Sequence, residues 1–415
     1  MFFTRLFKKL KGKRMENYKY VIFKYLWILM VLPKAMQLAL LTILLIKFVF
    51  QYRGSFFINS ISLFCFGIVT LQLLAVIANS YGQDFSRIFA SINTMLIWVI
   101  GLLLFGYYRT TTVDIQKIGK YSSINLLILV CLSLIAMISS KAGYSIPSLF
   151  SRSISETDWL TDVQTVRFIG YLEYPNLVVI LYLMLFPLAF WYVSEHYNVL
   201  FRLFFVLICS MPVIQSRSRT GSIIVIVCSI IAIFSVLSIS KNNWTFIVLI
   251  SFIMGLLVVA VYHRELQNYI IGMLSSRQGS TSMRAAIYSE SIAKTLRNSP
   301  IIGSGIKVDF MGYPLGSHST YIGIFYKVGI LGSALAVLVL INFLFMIIPA
   351  LWKQQYWMVS LSCLIALGLF LTFEDIDGSD WSLIIFWIIS GLSINPSIYS
   401  RIKPSGPRIK SVQVK

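Results

Sequence analysis

The run STYIGIFYKVGILGSALAVLVLINFLFMIIP at residues 319–349 holds a single charged side chain, Lys327, in thirty-one positions. As a helix it would rise further than the ~30 Å hydrocarbon core of a bilayer, so it reads as a membrane span. Nine more runs of this kind lie at about 56–78, 88–108, 121–139, 174–193, 199–215, 221–239, 243–262, 357–373 and 381–395. Across all 415 residues, 58% are hydrophobic and 12% charged, with a mean hydropathy of +0.81. Soluble domains carry about 25% charged residues, which excludes that class. The longest interval between apolar runs, about 263–318, is shorter than most independent domains, so a soluble enzyme on a membrane anchor is excluded too. The composition predicts an all-α polytopic membrane protein whose chemistry comes from spans and loops together.

The stretch at 20–52 decides the topology. It is either one tilted helix of about 50 Å or two short spans turned back at Leu32-Pro33-Lys34. With two spans and a cytoplasmic N-terminus, the inside segments hold 19 Lys and Arg and the short outside loops four, namely Lys34, Arg87, Arg217 and Arg219. With one span the basic C-terminal tail falls outside, against the positive-inside bias. The expectation is twelve spans with both termini cytoplasmic. Basic tails at 1–19 and 401–415 flank one membrane domain at 20–400, with outer loops at 140–173 and 263–318. A cysteine at Gly316 is then expected to be reachable from outside.

Thirty-five Lys and Arg against 15 Asp and Glu give a net charge of +20. Seven of the basic residues fall in 1–19 and five in 401–415, where juxtamembrane cations meet anionic lipid; no nucleic-acid partner is expected. The five cysteines lie inside apolar runs without metal-ligand spacing and read as packing residues. Basic residues precede the first apolar run but no small-residue cleavage site follows it, so the run reads as a retained span.

The outer segments hold the residues with chemistry. QSRSRTGS at 215–222 sets Arg217 and Arg219 between two spans, with Ser218 a plausible cap for the helix that follows. Two cations and a helix N-terminus suit a pyrophosphate, the plainer reading being arginines that snorkel to lipid headgroups. Residues 280–300 read as a helix lying on the membrane surface, with a sparse apolar stripe of Met283, Ile287, Tyr288, Ile292 and Leu296 and a stop at Pro300. Arg284 stands on it among Arg277, Lys294 and Arg297, opposed only by Glu290. Gly303, Gly305, Gly312 and Gly316 make a flexible loop that lacks the strand a nucleotide fingerprint needs. His318, at the mouth of the 319–349 span, reads either as a general base or as an interfacial hydrogen-bonding group, while His196 and His263 read only as the latter. FEDIDGSDW at 373–381 reads as a solvated outer loop or a sugar-hydroxyl contact, lacking the spacing of a calcium loop. Glu156, Asp158 and Asp162 have no partner identifiable from sequence.

Four separated patterns together resemble the O-antigen ligase and O-antigen or capsule polymerase superfamily (Wzy-like and WaaL-like proteins). They are Arg167-x-x-Gly170 with Pro175-Asn176; Ser218-Arg219-Thr220-Gly221; Arg284 with Tyr288; and Pro300-x-x-Gly303-x-Gly305 running to His318-Ser319-x-Tyr321 and Gly329-x-x-Gly332. One departure is Ser319, where the family often has Asn. The resemblance implies a metal- and cofactor-independent enzyme acting on an undecaprenyl-pyrophosphate-linked glycan donor and a glycan acceptor, with a flippase and a chain-length regulator as partners. It implies His318 as base or positioner of the acceptor hydroxyl, and Arg219 and Arg284, assisted by Arg217, as holders of the pyrophosphate. Arg167, Tyr288, Ser319 and Tyr321 are the further substrate-binding candidates. The expected reaction is inverting glycosyl transfer that polymerises repeat units into capsule, exopolysaccharide or O-antigen on the outer face of the cytoplasmic membrane. Ligase-type transfer to another acceptor uses the same residues, and a lipid-linked oligosaccharide transporter is the alternative of a different class. Lys24, Lys47 and Lys327, the chief charges within the spans, are too few for a charged translocation path.

Overall fold

The computed structural model of the chain describes residues 19–51, 59–144, 146–157, 166–239, 278–352, 356–378 and 380–399. The expectations for the span at 243–262, for Asp158, Asp162, His263 and Arg277, and for nearly all of the two basic tails fall outside the described residues. What is described is an all-α membrane architecture: six helices are long and apolar enough to cross a bilayer, and three shorter apolar helices accompany them.

The chain enters through α1 (Val21–Lys24) and α2 (Leu26–Val31), breaks at Leu32-Pro33, and continues in α3 (Lys34–Gln51). Pro33 has no N–H to donate, which leaves carbonyls of the preceding turn unclaimed. Gln37, fully buried, answers with its Nε2, which donates to Leu32 O at 2.8 Å and Met30 O at 3.3 Å, and the Arg152 guanidinium also donates to Met30 O. The break therefore lies where the proline predicts it. The first arm, α1 and α2 together, rises only about 16 Å.

Next come α4 (Ser60–Asn79), α5 (Phe85–Thr110) and α6 (Ile115–Ala142), then a two-stranded hairpin, β1 (Ser155–Thr157) and β2 (Val166–Phe168), which sets Glu156 opposite Arg167. Helix α7 (Asn176–His196) runs through the centre; every residue from Leu177 to Phe186 is buried, because this helix has no polar face to turn outward. Around it pack α6, α8 (Val199–Gln215), α9 (Arg219–Ile239), and, after α10 (Gln278–Asn298), β3 (Asp309–Phe310), β4 (Tyr313–Pro314) and α11 (Thr320–Leu351), the short α12 (Trp357–Phe370) and α13 (Asp380–Ser393), with α14 (Pro396–Tyr399) closing the described chain. Four of the five cysteines are buried in this packing and none is disulfide-bonded.

Hydrogen bonds and ion pairs sort the connections to two ends. At one, Lys19 Nζ donates to Thr112 O, Tyr108 Oη to Lys19 O, and Asn395 Nδ2 to the carbonyls of Tyr108 and Thr111. At the other, Lys34 and Arg152 both pair with Glu173, Arg167 reaches Ser216, Arg87 pairs with Asp309, and Arg284 pairs with Glu374. Helices α12 and α13, of 14 residues each, rise about 21 Å and are short for a crossing. The reason lies in the loop between them: residues 371–378 fold inward until Asp377 meets the Trp98 indole at 2.9 Å, well along α5. Irregular backbone at that depth is tolerated where protein, not lipid, surrounds it.

Candidate active site

Helix α11 does not run straight. Gly329 sits at φ 63°, ψ −159°, a conformation open only to glycine, and the helix breaks there. The break frees carbonyls on one side and amides on the other, and the segment after Pro300 takes up both: Ser304 N and Gly305 N donate to Tyr326 O and Lys327 O at 2.8 and 3.0 Å, while Ile330 N and Leu331 N donate to Pro300 O and Ile301 O. Gly303 lies so close to Lys327 and Gly329 that a Cβ would come within 2.5 Å of their backbone. The glycine-rich loop, expected to be flexible, is thus a clamp on the kink. It ends at His318, itself left-handed at φ 62°, whose carbonyl accepts from Tyr288 Oη at 2.5 Å.

Helix α10 spans the predicted stretch but presents its face differently from expectation. Ile287, Ser291 and Thr295, four residues apart, are its buried stripe; Ile287 packs with Leu315 and Tyr326, and Ser291 Oγ receives Gly316 N at 2.8 Å. Ile292 and Leu296 point away from the protein. The helix is therefore docked on the His318 loop, because its tightest apolar contacts are with protein. Gly316 is buried at φ 72° beneath Tyr326, so the cysteine expected to be reachable there would be neither accessible nor unstrained.

Four arginines lie within electrostatic reach of one another at this end, and Arg284 among them acts on His318. Arg284 and Arg219 lie within electrostatic reach of each other, and Arg167 feels both Arg284 and Arg217. Ser218 Oγ caps α9 by accepting Gly221 N at 3.3 Å, which sets Arg219 in the helix's first turn. Arg167 donates from Nε to Ser216 O at 3.1 Å, so it braces the turn that holds Arg217, and it pairs with Glu156 at 3.4 Å, the partner that the sequence did not reveal. Burial holds the Arg167 guanidinium below its usual value, partly offset by Glu156 and Glu374.

Beneath the arginines lies the loop expected to be solvated. Glu374 and Asp375 are buried, at 4% and 7% exposure. Three of its acids each face a base from a different element: Glu374 pairs with Arg284 of α10 at 3.2 Å, Asp375 with Lys307 of the clamp, and Asp377 with Lys327 of α11. Asn176, the first residue of α7, also donates to Glu374. Thr320 secures the backbone, donating from N and Oγ1 to Glu374 O at 3.0 and 2.8 Å and accepting Ile376 N on Oγ1. This correction has a plain cause. The bases that neutralise the loop lie 90, 68 and 50 residues away in sequence, so locally it looks like charge in water. Its only local signal was three carboxylates within four residues between two apolar runs at the predicted arginine side.

Burial, and secondarily Arg284 and Lys307, hold the His318 imidazole down to about 4, against the pull of Asp375. Its ring tilts against Tyr313 with centroids 5.7 Å apart, and it makes no hydrogen bond within the described residues. Burial pushes Glu374 up to about 7, against the opposing effects of Arg284 and Asn176. Two sequence candidates have other partners: Ser319 Oγ caps α11 by accepting Ile322 N, and Tyr321 Oη donates to Gly368 O at 2.8 Å. His196 stacks on Tyr192, remote from the arginines on the far end of α7. No cluster of metal-ligating side chains occurs among the described residues.

Residues 203–337, about a third of the chain, match the family model Wzy_C, described as O-antigen ligase. The match takes in Arg217, Arg219, Arg284, Tyr288 and His318 and leaves Arg167, Asn176 and the acidic loop outside it. No curated protein matches the chain. Over that segment the chain is similar to the O-antigen ligase family, which supports the resemblance read from its motifs.

Proposed function

We propose that the protein is a polysaccharide polymerase, an inverting, metal-independent glycosyltransferase that joins undecaprenyl-pyrophosphate-linked repeat units on the outer face of the cytoplasmic membrane. The observation that carries this reading is the position of Arg284, which acts on the His318 imidazole, pairs with Glu374 and lies within electrostatic reach of Arg219 and Arg167. The acceptor hydroxyl attacks the anomeric carbon, the bond from that carbon to the lipid pyrophosphate breaks with inversion, and the hydroxyl proton passes to His318. Arg219 and Arg284, with Arg217 beside them, receive the charge that grows on the departing pyrophosphate. An imidazole held near 4 is a weak base, but its lone pair is free at neutral pH. A pyrophosphate that neutralises Arg284 also removes one of the charges holding His318 down, so donor binding strengthens the base.

Ligase-type transfer to a different acceptor would use the same groups, and the description of the matched family favours it. The lipid-linked glycan profile of producing cells separates the readings, with His318→Ala compared with wild type at matched membrane abundance. Loss of polymer with accumulation of single repeat units on lipid pyrophosphate is the expected result. Long lipid-linked chains that never reach an acceptor would mean a ligase, and an unchanged profile would remove His318 from the mechanism.

A further inference from the structure

We propose that Glu374 is a built-in stand-in for the donor: its carboxylate occupies Arg284 while the site is empty, then releases it and takes up a proton when a lipid diphosphate binds. This rests on the reading above in which Arg284 receives the pyrophosphate.

Three features of the site support the exchange. The pair is asymmetric: the Arg284 side chain is 29% exposed and the Glu374 side chain 5%, so the guanidinium reaches the open site with the carboxylate behind it. An anion arriving from outside meets the free face of Arg284 and competes for a cation that already has a partner. Second, a buried carboxylate stripped of its cation does not stay charged, since desolvation favours the neutral form. Burial already places Glu374 near 7, so the proton is available at ordinary pH. Third, Asn176 is suited to hold both forms. Its amide carries donors for the carboxylate and an acceptor for the acid, whereas a lysine in that place could hold only the carboxylate.

The other groups facing Glu374 do not take over Arg284's part. Arg167 acts on it from β2 but is hydrogen-bonded to Ser216 and Glu156. Tyr174 and Tyr288 are phenols pushed above their usual range, and Tyr288 is committed to the carbonyls of His318 and Thr372. Asp375, next in the loop, adds negative charge and has Lys307 as its own partner. Of the three acid–base pairs in this loop, only the Glu374 pair borrows its cation from the proposed donor site.

The sign of the effect is distinctive. Arginines binding a diphosphate favour its ionised form and so release protons, whereas Glu374 losing Arg284 takes one up. The test is calorimetry of the full-length protein in detergent with geranylgeranyl diphosphate as probe, in two buffers of different ionisation enthalpy at about pH 8, where Glu374 starts ionised. Wild type is expected to take up close to one proton per ligand more than Glu374→Gln, and Glu374→Gln to bind about tenfold more tightly, the equivalent of one pH unit of competition removed. Should wild type release protons as the variant does, or Glu374→Gln bind more weakly, the stand-in is wrong even though Arg284→Ala still loses affinity. Should Arg284→Ala bind as well as wild type, the underlying assignment of Arg284 fails and the stand-in falls with it. At about pH 8 the free diphosphate is already largely ionised and has few protons to release, so net uptake by wild type alone carries the test if Glu374→Gln folds poorly.

Discussion

His318 and Glu374 lie under the same electrostatic field and burial moves them in opposite directions, the imidazole down to about 4 and the carboxyl up to about 7. Both shifts favour the uncharged form, as expected of groups removed from water. For His318 the sign has a kinetic consequence. A base whose value is depressed stays unprotonated until the pH falls to that value, so the histidine should not limit the rate near pH 6.5, where an exposed imidazole would begin to lose activity. Transfer by purified protein saturated with donor is expected to hold level down to about pH 5.5 and fall below it. A rate that halves near pH 6.5 would show that the imidazole is no longer held down in the working enzyme.

At the scale of elements, the kink in α11 and the clamp around it form one device. Breaking the helix at Gly329 strands four backbone groups, which the 300–305 segment satisfies, and the same segment leads directly to the His318 loop. Replacing Gly329 with Ala places a side chain in a conformation it rarely adopts and within 2.5 Å of Ile301 O. The expected cost is roughly 2 kcal/mol or more, read as a lower melting temperature in detergent and loss of polymer in cells. Leu296→Ala, on the outward face of α10, is expected to leave the melting temperature within the range of ordinary surface changes, about 0.5 kcal/mol. An equal loss in the two variants would mean that the kink has no special standing.

Across the whole molecule, every described connection that the charge count assigns outside gathers at the Glu374 end, and the 109–115, 194–198 and 395 turns lie towards the other. The orientation itself is tested with two cysteines in a background lacking the five native ones. Met311→Cys sits in the β3–β4 turn at 66% exposure, and Glu195→Cys at the opposite end of α7. In intact cells an impermeant maleimide is expected to label position 311 and spare 195. Labelling of 195 alone would invert the topology and place the arginines in the cytoplasm.

Much of this architecture is written locally. The nine apolar runs that lie within the described residues are helices close to their predicted bounds, since ~20 consecutive apolar residues have no alternative to a helix in a bilayer. Pro33 marked the first turn because a missing N–H acts at its own position. Arg219, Arg284 and His318 were legible through their spacing in known motifs. What only tertiary structure decided is which charges meet. Lys327 looked like a lone cation in a span, and Glu374, Asp375 and Asp377 like acids in water, until folding across 50 to 90 residues made each the other's counter-ion. Helix formation depends on neighbours along the chain, whereas the cost of a buried charge depends on whatever is brought beside it in space.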